Sequence, residues 1–189
     1  MPATLCLVTR RAQAASTMLP RLRNLPKRSR SVTDALVVRV KLLRPGARLP
    51  ARAYDQDAAF DLTACEDARL APGSRAVVNT GLALELPSGT AALTLPRSGL
   101  AAEHGIALVN APGLIDSGYR GEVCLILLNT DLRHAFRVHS GDRIAQLLIL
   151  TLRNVSLAQA EELAPSDRGA RGFGSSGRGF QPSGHQGDA

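Results

Sequence analysis

Residues 75–95 read RAVVNTGLALELPSGTAALTL. Two runs rich in Val, Leu, Ala and Thr, at 75–84 and 90–95, lie on either side of the turn-forming tripeptide Pro87-Ser88-Gly89. Short runs of such residues, bounded by Pro and Gly, are typical of β-strands. The stretch therefore predicts two strands joined by a tight turn.

The same pattern recurs along the chain. Further runs rich in Val, Leu, Ile and Thr lie at 35–43, 122–129 and 143–152, and turn signals lie at 44–46, 71–73, 111–113 and 140–142. Strands of about five to nine residues with regular turns predict an all-β sandwich, jelly roll or closed barrel rather than alternating β/α units. The one helix that the sequence indicates lies near residues 158–163.

The charge of the chain is unevenly distributed. The formal net charge is +7 over 189 residues, but residues 1–33 contain seven basic side chains and no acidic one. The remainder has sixteen basic and sixteen acidic residues, and such a neutral body argues against a nucleic-acid-binding surface. Three interpretations of residues 1–34 stay open: an organelle transit peptide, a disordered basic arm, or a gene model whose true start is Met18.

Composition also bears on the compartment and on the division into domains. No apolar run approaches the roughly 18–20 residues that span a bilayer, so no membrane partner is expected. Cys6, Cys65 and Cys124 lack disulfide or zinc-ligand spacing, which favours a reducing compartment. We expect a bacterial cytoplasmic protein, or a mitochondrial one if residues 1–34 are a transit peptide. The expected domains are an extension at 1–34, a β-domain at 35–164 and a mobile Gly-rich arm at 165–189.

Residues 110–122, NAPGLIDSGYRGE, carry the clearest chemical signal. A turn containing Pro and Gly returns the chain, so that Asn110 and Tyr119 can flank Asp116. An amide, a carboxylate and an aromatic ring on one hairpin suit a base reader, a general base and a platform for a sugar. The tetrapeptide 96–99, PRSG, adds a guanidinium, a hydroxyl and a glycine that suit phosphate oxygens, although alone it is a weak signal.

These segments belong to a set of five ordered motifs. The others are 57–62 (DAAFDL), 141–146 (GDRIAQ) and 168–177 (RGARGFGSSG), and the tetrapeptide continues to residue 106 as PRSGLAAEHGI. Together the motifs resemble those of the trimeric dUTP diphosphatases (dUTPases), from about residue 35 to residue 177. The resemblance implies a jelly-roll or distorted β-barrel homotrimer with shared active sites and a flexible C-terminal arm. It also implies Mg²⁺-dependent hydrolysis of dUTP to dUMP and pyrophosphate, with no nucleic acid required.

The resemblance also implies roles for individual residues. Asp116 matches the catalytic aspartate that deprotonates the water attacking the α-phosphorus, Asn110 matches the reader of the uracil edge, and Tyr119 matches the ring beneath the deoxyribose. Leu114, Ile115 and the main chain of Cys124 would lie near the nucleoside. The remaining substrate contacts would come from Arg97, Ser98, Gly99, Gln146, Arg168, Phe173 and Ser175.

Some points stay open beside the resemblance. The Mg²⁺ ion would be held by triphosphate oxygens and water, with no direct protein ligand. Asp61 would either brace the barrel or belong to the outer shell of the metal, and Arg171, where glycine is common, would point outward or add a phosphate contact. The alternative functions are a dCTP deaminase of the same fold and a non-catalytic trimeric nucleotide-binding protein.

Overall fold

The computed structural model describes residues 35–172, which form ten strands and one helix. The predicted transit-like extension at 1–34 and most of the arm, including Phe173 and Ser175, lie outside the described residues. The elements are β1 (Arg39–Leu42), β2 (Phe60–Thr63), β3 (Ala68–Leu70), β4 (Arg75–Glu85), β5 (Thr90–Leu95), α1 (Ser98–His104), β6 (Ile106–Leu108), β7 (Gly113–Asp116), β8 (Glu122–Asn129), β9 (Phe136–Val138) and β10 (Arg143–Thr151).

The strands form two four-stranded sheets and a two-stranded ribbon, and every strand pair is antiparallel. One sheet has the order β1-β4-β8-β6, the other has the order β2-β10-β5-β7, and β3 pairs with β9. Side chains from both sheets meet in a single buried cluster, for example Leu82 and Leu127 from one sheet and Leu62 and Leu147 from the other. The prediction of an all-β, jelly-roll-type fold is confirmed.

The core is almost entirely aliphatic. Leu62, Leu82 and Leu127 are fully buried, and the polar exceptions are satisfied by hydrogen bonds. Buried Asn129 donates from Nδ2 to the His134 carbonyl oxygen at 2.8 Å, and its Oδ1 accepts from the backbone N–H of Asp131 at 3.0 Å. A buried amide with both ends paired avoids the cost of desolvation without a partner.

The helix prediction is wrong. Residues 158–163 are exposed and irregular, and a segment of six residues that packs against nothing cannot offset the cost of helix nucleation. The helix instead spans Ser98–His104, directly after the tetrapeptide 96–99. It ends at Gly105, whose φ of 63° is left-handed and whose N–H caps the carbonyls of Leu100 and Ala101.

One feature of β4 bears on the site. The pairing with β8 runs regularly up to the pair Asn79–Cys124, then shifts, and resumes at the pair Ala83–Glu122. Three residues of β4 therefore lie opposite Val123 alone, which is a β-bulge. Gly81 sits in this bulge with φ of 69°, a conformation that glycine adopts without steric cost.

Candidate active site

The β7–β8 connection carries the predicted catalytic residue. β7 lies at the edge of one sheet and β8 in the interior of the other, so the chain crosses between the sheets at this turn. The turn closes with a hydrogen bond from the Tyr119 N–H to the Asp116 carbonyl, at 3.1 Å. Arg120 braces it further, because its Nη1 donates to the carbonyls of Ser117 and Tyr119 at 2.7 and 2.8 Å.

The Tyr119 ring is held against the chain that follows it. Its hydroxyl donates to the backbone carbonyl of Glu122 at 2.9 Å. The ring lies over Gly121 so closely that a Cβ placed there would come within 2.6 Å of Tyr119 Cζ. Glycine at position 121 is therefore required for this ring position.

The hairpin forms one wall of a cleft of about 240 Å³. We call this cavity the nucleotide cleft. The predicted site residues that line it are Asn110, Leu114, Ile115, Asp116, Tyr119 and Cys124. The structure thus brings together all the residues predicted to bind the nucleoside from the central motif, and the side chain of Asp116 is exposed at its edge.

Four further residues that were not among the predicted site residues line the nucleotide cleft, namely Thr94, Gly113, Glu122 and Val123. Thr94 is only 5% exposed, and its hydroxyl lies 3.5 Å from the carbonyl of Gly113. A Cβ at Gly113 would clash with the Thr94 hydroxyl and would lie 3.1 Å from Nδ2 of Asn110. The signal for Thr94 was its position as a polar residue within an apolar strand that leads into the tetrapeptide 96–99.

A second group of polar residues centres on Asp61, and we call Asp61, Arg97 and Arg143 the arginine cluster. Asp61 Oδ2 accepts from Nη1 of Arg143 at 2.9 Å, and its Oδ1 lies 3.4 Å from Nε of Arg97. Arg97 also donates to the backbone carbonyl of Arg143 at 2.8 Å. The Asp61 side chain is 11% exposed, so these contacts fit the expectation that it braces the fold.

The predicted phosphate-binding residues of the tetrapeptide 96–99, and the predicted polar contact Gln146, lie at this cluster and not at the nucleotide cleft. Ser98 and Gly99 begin α1 directly after Arg97, and Gln146 on β10 pairs with Asp61 and with Leu95. None of Arg97, Ser98, Gly99 and Gln146 lines the cleft that contains Asp116. Within one chain, the structure does not bring the predicted base-binding and phosphate-binding residues into a common cavity.

Residues 165–172 are exposed and have no helix or strand. Arg168 donates from Nε to the carbonyl of Arg171 at 2.9 Å. Arg171 in turn donates to the carbonyls of Arg168 and Asp167. The Arg171 guanidinium thus caps a local turn, and neither arginine contacts the nucleotide cleft in the described part of the chain.

Cys124 lines the nucleotide cleft, and its thiol lies beside a polar pair. Its Sγ donates to Oδ1 of Asn79 at 3.2 Å, and Asn79 Nδ2 donates to Glu66 at 2.7 Å. Burial raises the pKa of Cys124, and the nearby Glu122 charge adds to this effect. The thiol is therefore held in its protonated form at neutral pH, which makes it a poor nucleophile.

The surroundings of the described histidines are consistent with structural or surface positions. The ring of His104 lies 5.2 Å from the ring of Phe136, which itself packs against the core. His134 and His139 are exposed and lie beside Asp131 and Asp142.

Among residues 35–172, no group of three or more His, Cys, Asp or Glu side chains is arranged to hold a metal ion. No helix in this range is long and apolar enough to cross a membrane.

Comparisons with known proteins agree with the fold and with the resemblance of the five motifs. The dUTPase family model matches residues 46–177. The deoxyuridine 5'-triphosphate nucleotidohydrolase of Tropheryma whipplei (strain Twist) is 51% identical over 139 residues, which cover 74% of this chain and 95% of the relative.

Two solved structures are also similar. The dUTPase of Staphylococcus bacteriophage 80alpha with dUPNHPP has a TM-score of 0.70 at 32% identity and covers 75% of this chain and 99% of its own. A variant dUTPase from phage phi11 of S. aureus, described with a structural Mg(II) ion, has a TM-score of 0.63 at 26% identity and covers 67% and 97%. With the motifs, the fold and these relatives in agreement, the chain belongs to the dUTPase family.

Proposed function

We propose that this chain hydrolyses dUTP to dUMP and pyrophosphate. The observation that carries the proposal is that Asn110, Asp116 and Tyr119 line one cleft on the crossover between the two sheets. A family relative of 51% identity is a deoxyuridine 5'-triphosphate nucleotidohydrolase, and the structural relative from phage 80alpha is described with the nucleotide dUPNHPP. The reaction would remove dUTP from the pool available for DNA synthesis and supply dUMP.

Asp116 is assigned as the general base. Its carboxylate is exposed at the end of β7, where a water molecule can reach it. A carboxylate within hydrogen-bond reach of a water can orient it and accept its proton as the water attacks phosphorus. The turn that follows fixes the Asp116 backbone through the Tyr119 N–H, so the carboxylate starts from a defined position.

The nucleoside would be recognised by the remaining cleft residues. The Asn110 amide offers both a donor and an acceptor to the edge of uracil. Leu114 and Ile115 supply apolar surface, and the backbone of Cys124, which also lines the cleft, would lie near the nucleoside. The Tyr119 ring, fixed on the Glu122 carbonyl, would lie against the deoxyribose and leave no space for a 2′-hydroxyl.

The phosphates would be bound by Arg97, Ser98 and Gly99, and Gln146 would add a polar contact. From the arm, Arg168 and Ser175 would reach the phosphates and Phe173 would stack on the base. Because the residues at the arginine cluster do not line the nucleotide cleft of the same chain, we propose a homotrimer in which different subunits complete each site. Guanidinium groups suit this role, since they bind phosphate oxygens with two parallel hydrogen bonds.

A Mg²⁺ ion is part of the proposal. We propose that triphosphate oxygens and water are its donors, since Asp61, the one acidic residue expected near it, is engaged by Arg97 and Arg143. When bound, the ion would neutralise phosphate charge and orient the chain of phosphates. The protein's part is to hold the α-phosphorus near Asp116 and to bring arginines to the other phosphates.

The decisive assay offers dUTP, dCTP, dTTP and UTP with Mg²⁺ and measures pyrophosphate and ammonia. Pyrophosphate from dUTP is expected, with far less from the other three nucleotides. Ammonia from dCTP would indicate a deaminase instead, and no product from dUTP would refute the proposal. Asp116→Asn is expected to bind the substrate and to lose turnover, whereas a normal rate would refute Asp116 as the base.

A further inference from the structure

Glu122 is fixed at both carboxylate oxygens, although it is not among the predicted site residues. Its Oε2 accepts from Nε and Nη2 of Arg44, at 3.1 and 2.8 Å. Its Oε1 accepts from the backbone N–H of Gly81 at 2.9 Å. The side chain is 15% exposed, so the carboxylate is largely shielded from water.

The bulge in β4 explains why Gly81 can bind a side chain. Because the β4–β8 pairing is interrupted between Asn79 and Ala83, the N–H of Gly81 has no ladder partner on β8. The carbonyl of the same residue accepts from the Leu43 N–H at 2.7 Å, and the Thr80 hydroxyl in the bulge donates to the Val123 carbonyl at 2.6 Å. The bulge is thus a rigid anchor for Glu122.

The backbone of Glu122 connects its anchored side chain to the Tyr119 ring. The carbonyl that accepts the Tyr119 hydroxyl belongs to Glu122 itself. The ring position therefore depends on where the Glu122 backbone lies. That backbone is held by its pairing with Ala83 on β4 and by the contacts of Arg44 and Gly81 with the Glu122 side chain. Arg44 lies outside residues 46–177, the range that the dUTPase family model matches, so this contact is not part of the matched motifs.

We infer that Glu122 and Arg44 are positioning residues that fix the Tyr119 ring and thereby set the preference for deoxyribose over ribose. The inference rests on the proposed function. A ring that excludes a 2′-hydroxyl by contact can distinguish deoxyribose from ribose only if the ring cannot move aside. A displacement comparable to the size of that oxygen would admit the ribonucleotide. The Arg44–Glu122 pair limits this displacement through the Glu122 carbonyl, to which the Tyr119 hydroxyl donates.

The test compares variants with dUTP and with UTP as substrates. Arg44→Met removes the positive charge and replaces the guanidinium with an unbranched apolar side chain. Glu122→Gln removes the negative charge and keeps an oxygen that can accept from the Gly81 N–H. The double variant measures whether the two act as one unit. Arg39→Met is the matched control, since Arg39 forms a similar 2.8 Å ion pair with Glu85 on neighbouring strands and does not line the nucleotide cleft.

We expect the ratio of kcat/KM for dUTP to that for UTP to fall about tenfold in each single variant. The fall should come mainly through a higher KM for dUTP and a gain of UTP hydrolysis, because Asp116 is untouched. The double variant should be no worse than the poorer single variant, and Arg39→Met should keep the ratio of the unmodified protein. Arg44→Lys keeps the charge but not the two-nitrogen grip, so an intermediate ratio is expected.

The outcomes separate the inference from the function on which it rests. Folding of each variant is checked by circular dichroism and thermal unfolding, and Arg44→Lys serves as the least disruptive probe. An unchanged dUTP-to-UTP ratio in folded Arg44→Met and Glu122→Gln would overturn the inference alone. Additive losses in the double variant would overturn the claim that the two residues act together. Failure of the unmodified protein to hydrolyse dUTP would overturn the proposed function instead.

Discussion

Replacing Gly121 by Ala tests whether the position of the Tyr119 ring matters for activity. A Cβ at this position would lie 2.6 Å from Tyr119 Cζ and 3.0 Å from Cε2, and it would also press on the hydroxyl. The φ of Gly121 lies outside the left-handed region, so alanine brings no backbone strain there. The obstacle is the far end of a flexible side chain, and we therefore expect the ring to move and the backbone to stay.

The magnitude follows from what the ring loses when it moves. The hydrogen bond to the Glu122 carbonyl contributes about 0.5–1 kcal/mol at this half-exposed site, and an off-rotamer ring costs about the same. Returning the ring to its position in the unmodified protein, the one proposed to contact the deoxyribose, would then cost about 1–2 kcal/mol in total. By the relation between free energy and rate, kcat/KM for dUTP should fall about 5- to 30-fold.

The assay is steady-state hydrolysis of dUTP, with Gly118→Ala as the control. A Cβ at Gly118, in the same turn, meets no atom within 4 Å, so its kcat/KM should stay within about twofold of the unmodified value. Thermal unfolding shows whether either variant has lost stability. If Gly121→Ala keeps full activity and an unchanged preference against UTP, the reasoning that the ring position governs activity is refuted.

Three further predictions concern stability and the thiol. The pKa of Asp131 is lowered to about 2 by the backbone N–H of Arg133 and by His134, so its contribution to stability is present above about pH 4 and disappears as the pH falls towards 2. The difference in thermal midpoint between the unmodified protein and Asp131→Asn should therefore be largest near neutral pH, and a pH-independent difference would contradict this. Because burial raises the pKa of Cys124, its alkylation by iodoacetamide should be slow at pH 7 and should accelerate above the ordinary thiol pKa of 9. A non-hydrolysable dUTP analogue should slow the alkylation, and Cys124→Ser measures the background reaction. Leu127→Ala, in the fully buried core, should lower the free energy of unfolding in urea by about 3 kcal/mol, whereas Leu132→Ala, 81% exposed, should change it by less than about 0.5 kcal/mol.

The longer strands could be predicted from the sequence because each is long enough to show a clear strand pattern. β4, β5, β8 and β10 have six or more residues each and lie between turns built on Pro or Gly, and their boundaries agree with the predicted runs to within one residue. β2, β3, β6, β7 and β9 have three or four residues and were not predicted, since so few residues show neither alternation nor a continuous apolar run. Their pairing depends on contacts with distant strands.

Helix α1 was missed for a related reason. It is short, has no buried residue and has no side-chain hydrogen bond at its N-cap, so the usual start signals and an apolar face are both lacking. Gly105 at its end was the one local clue. Residues 158–163 show the opposite case, in which helix-favouring composition did not produce a helix because nothing packs against the segment.

The nucleotide cleft could be predicted in part, because its chemistry is concentrated in one hairpin. The spacing of Asn110, Asp116 and Tyr119 predicted that they lie together, and in the structure they line one cavity. The link from Glu122 to Gly81 could not be predicted, because it depends on a register shift that no local pattern reveals. The link to Arg44 spans 78 positions in the chain and needs the sheet to be assembled first.

The crossing of the hairpin from one sheet to the other has a mechanical consequence. Asp116 is fixed to one layer of the sandwich and Cys124 to the other, so the width of the nucleotide cleft follows the thickness of the aliphatic core between the layers. Protein interiors are close-packed and transmit small strains. A core substitution that changes this thickness by a fraction of an ångström would move the Asp116 carboxylate, the proposed base, relative to Cys124 without unfolding the domain. The turnover rate should therefore be more sensitive to defects in core packing than the thermal unfolding temperature is.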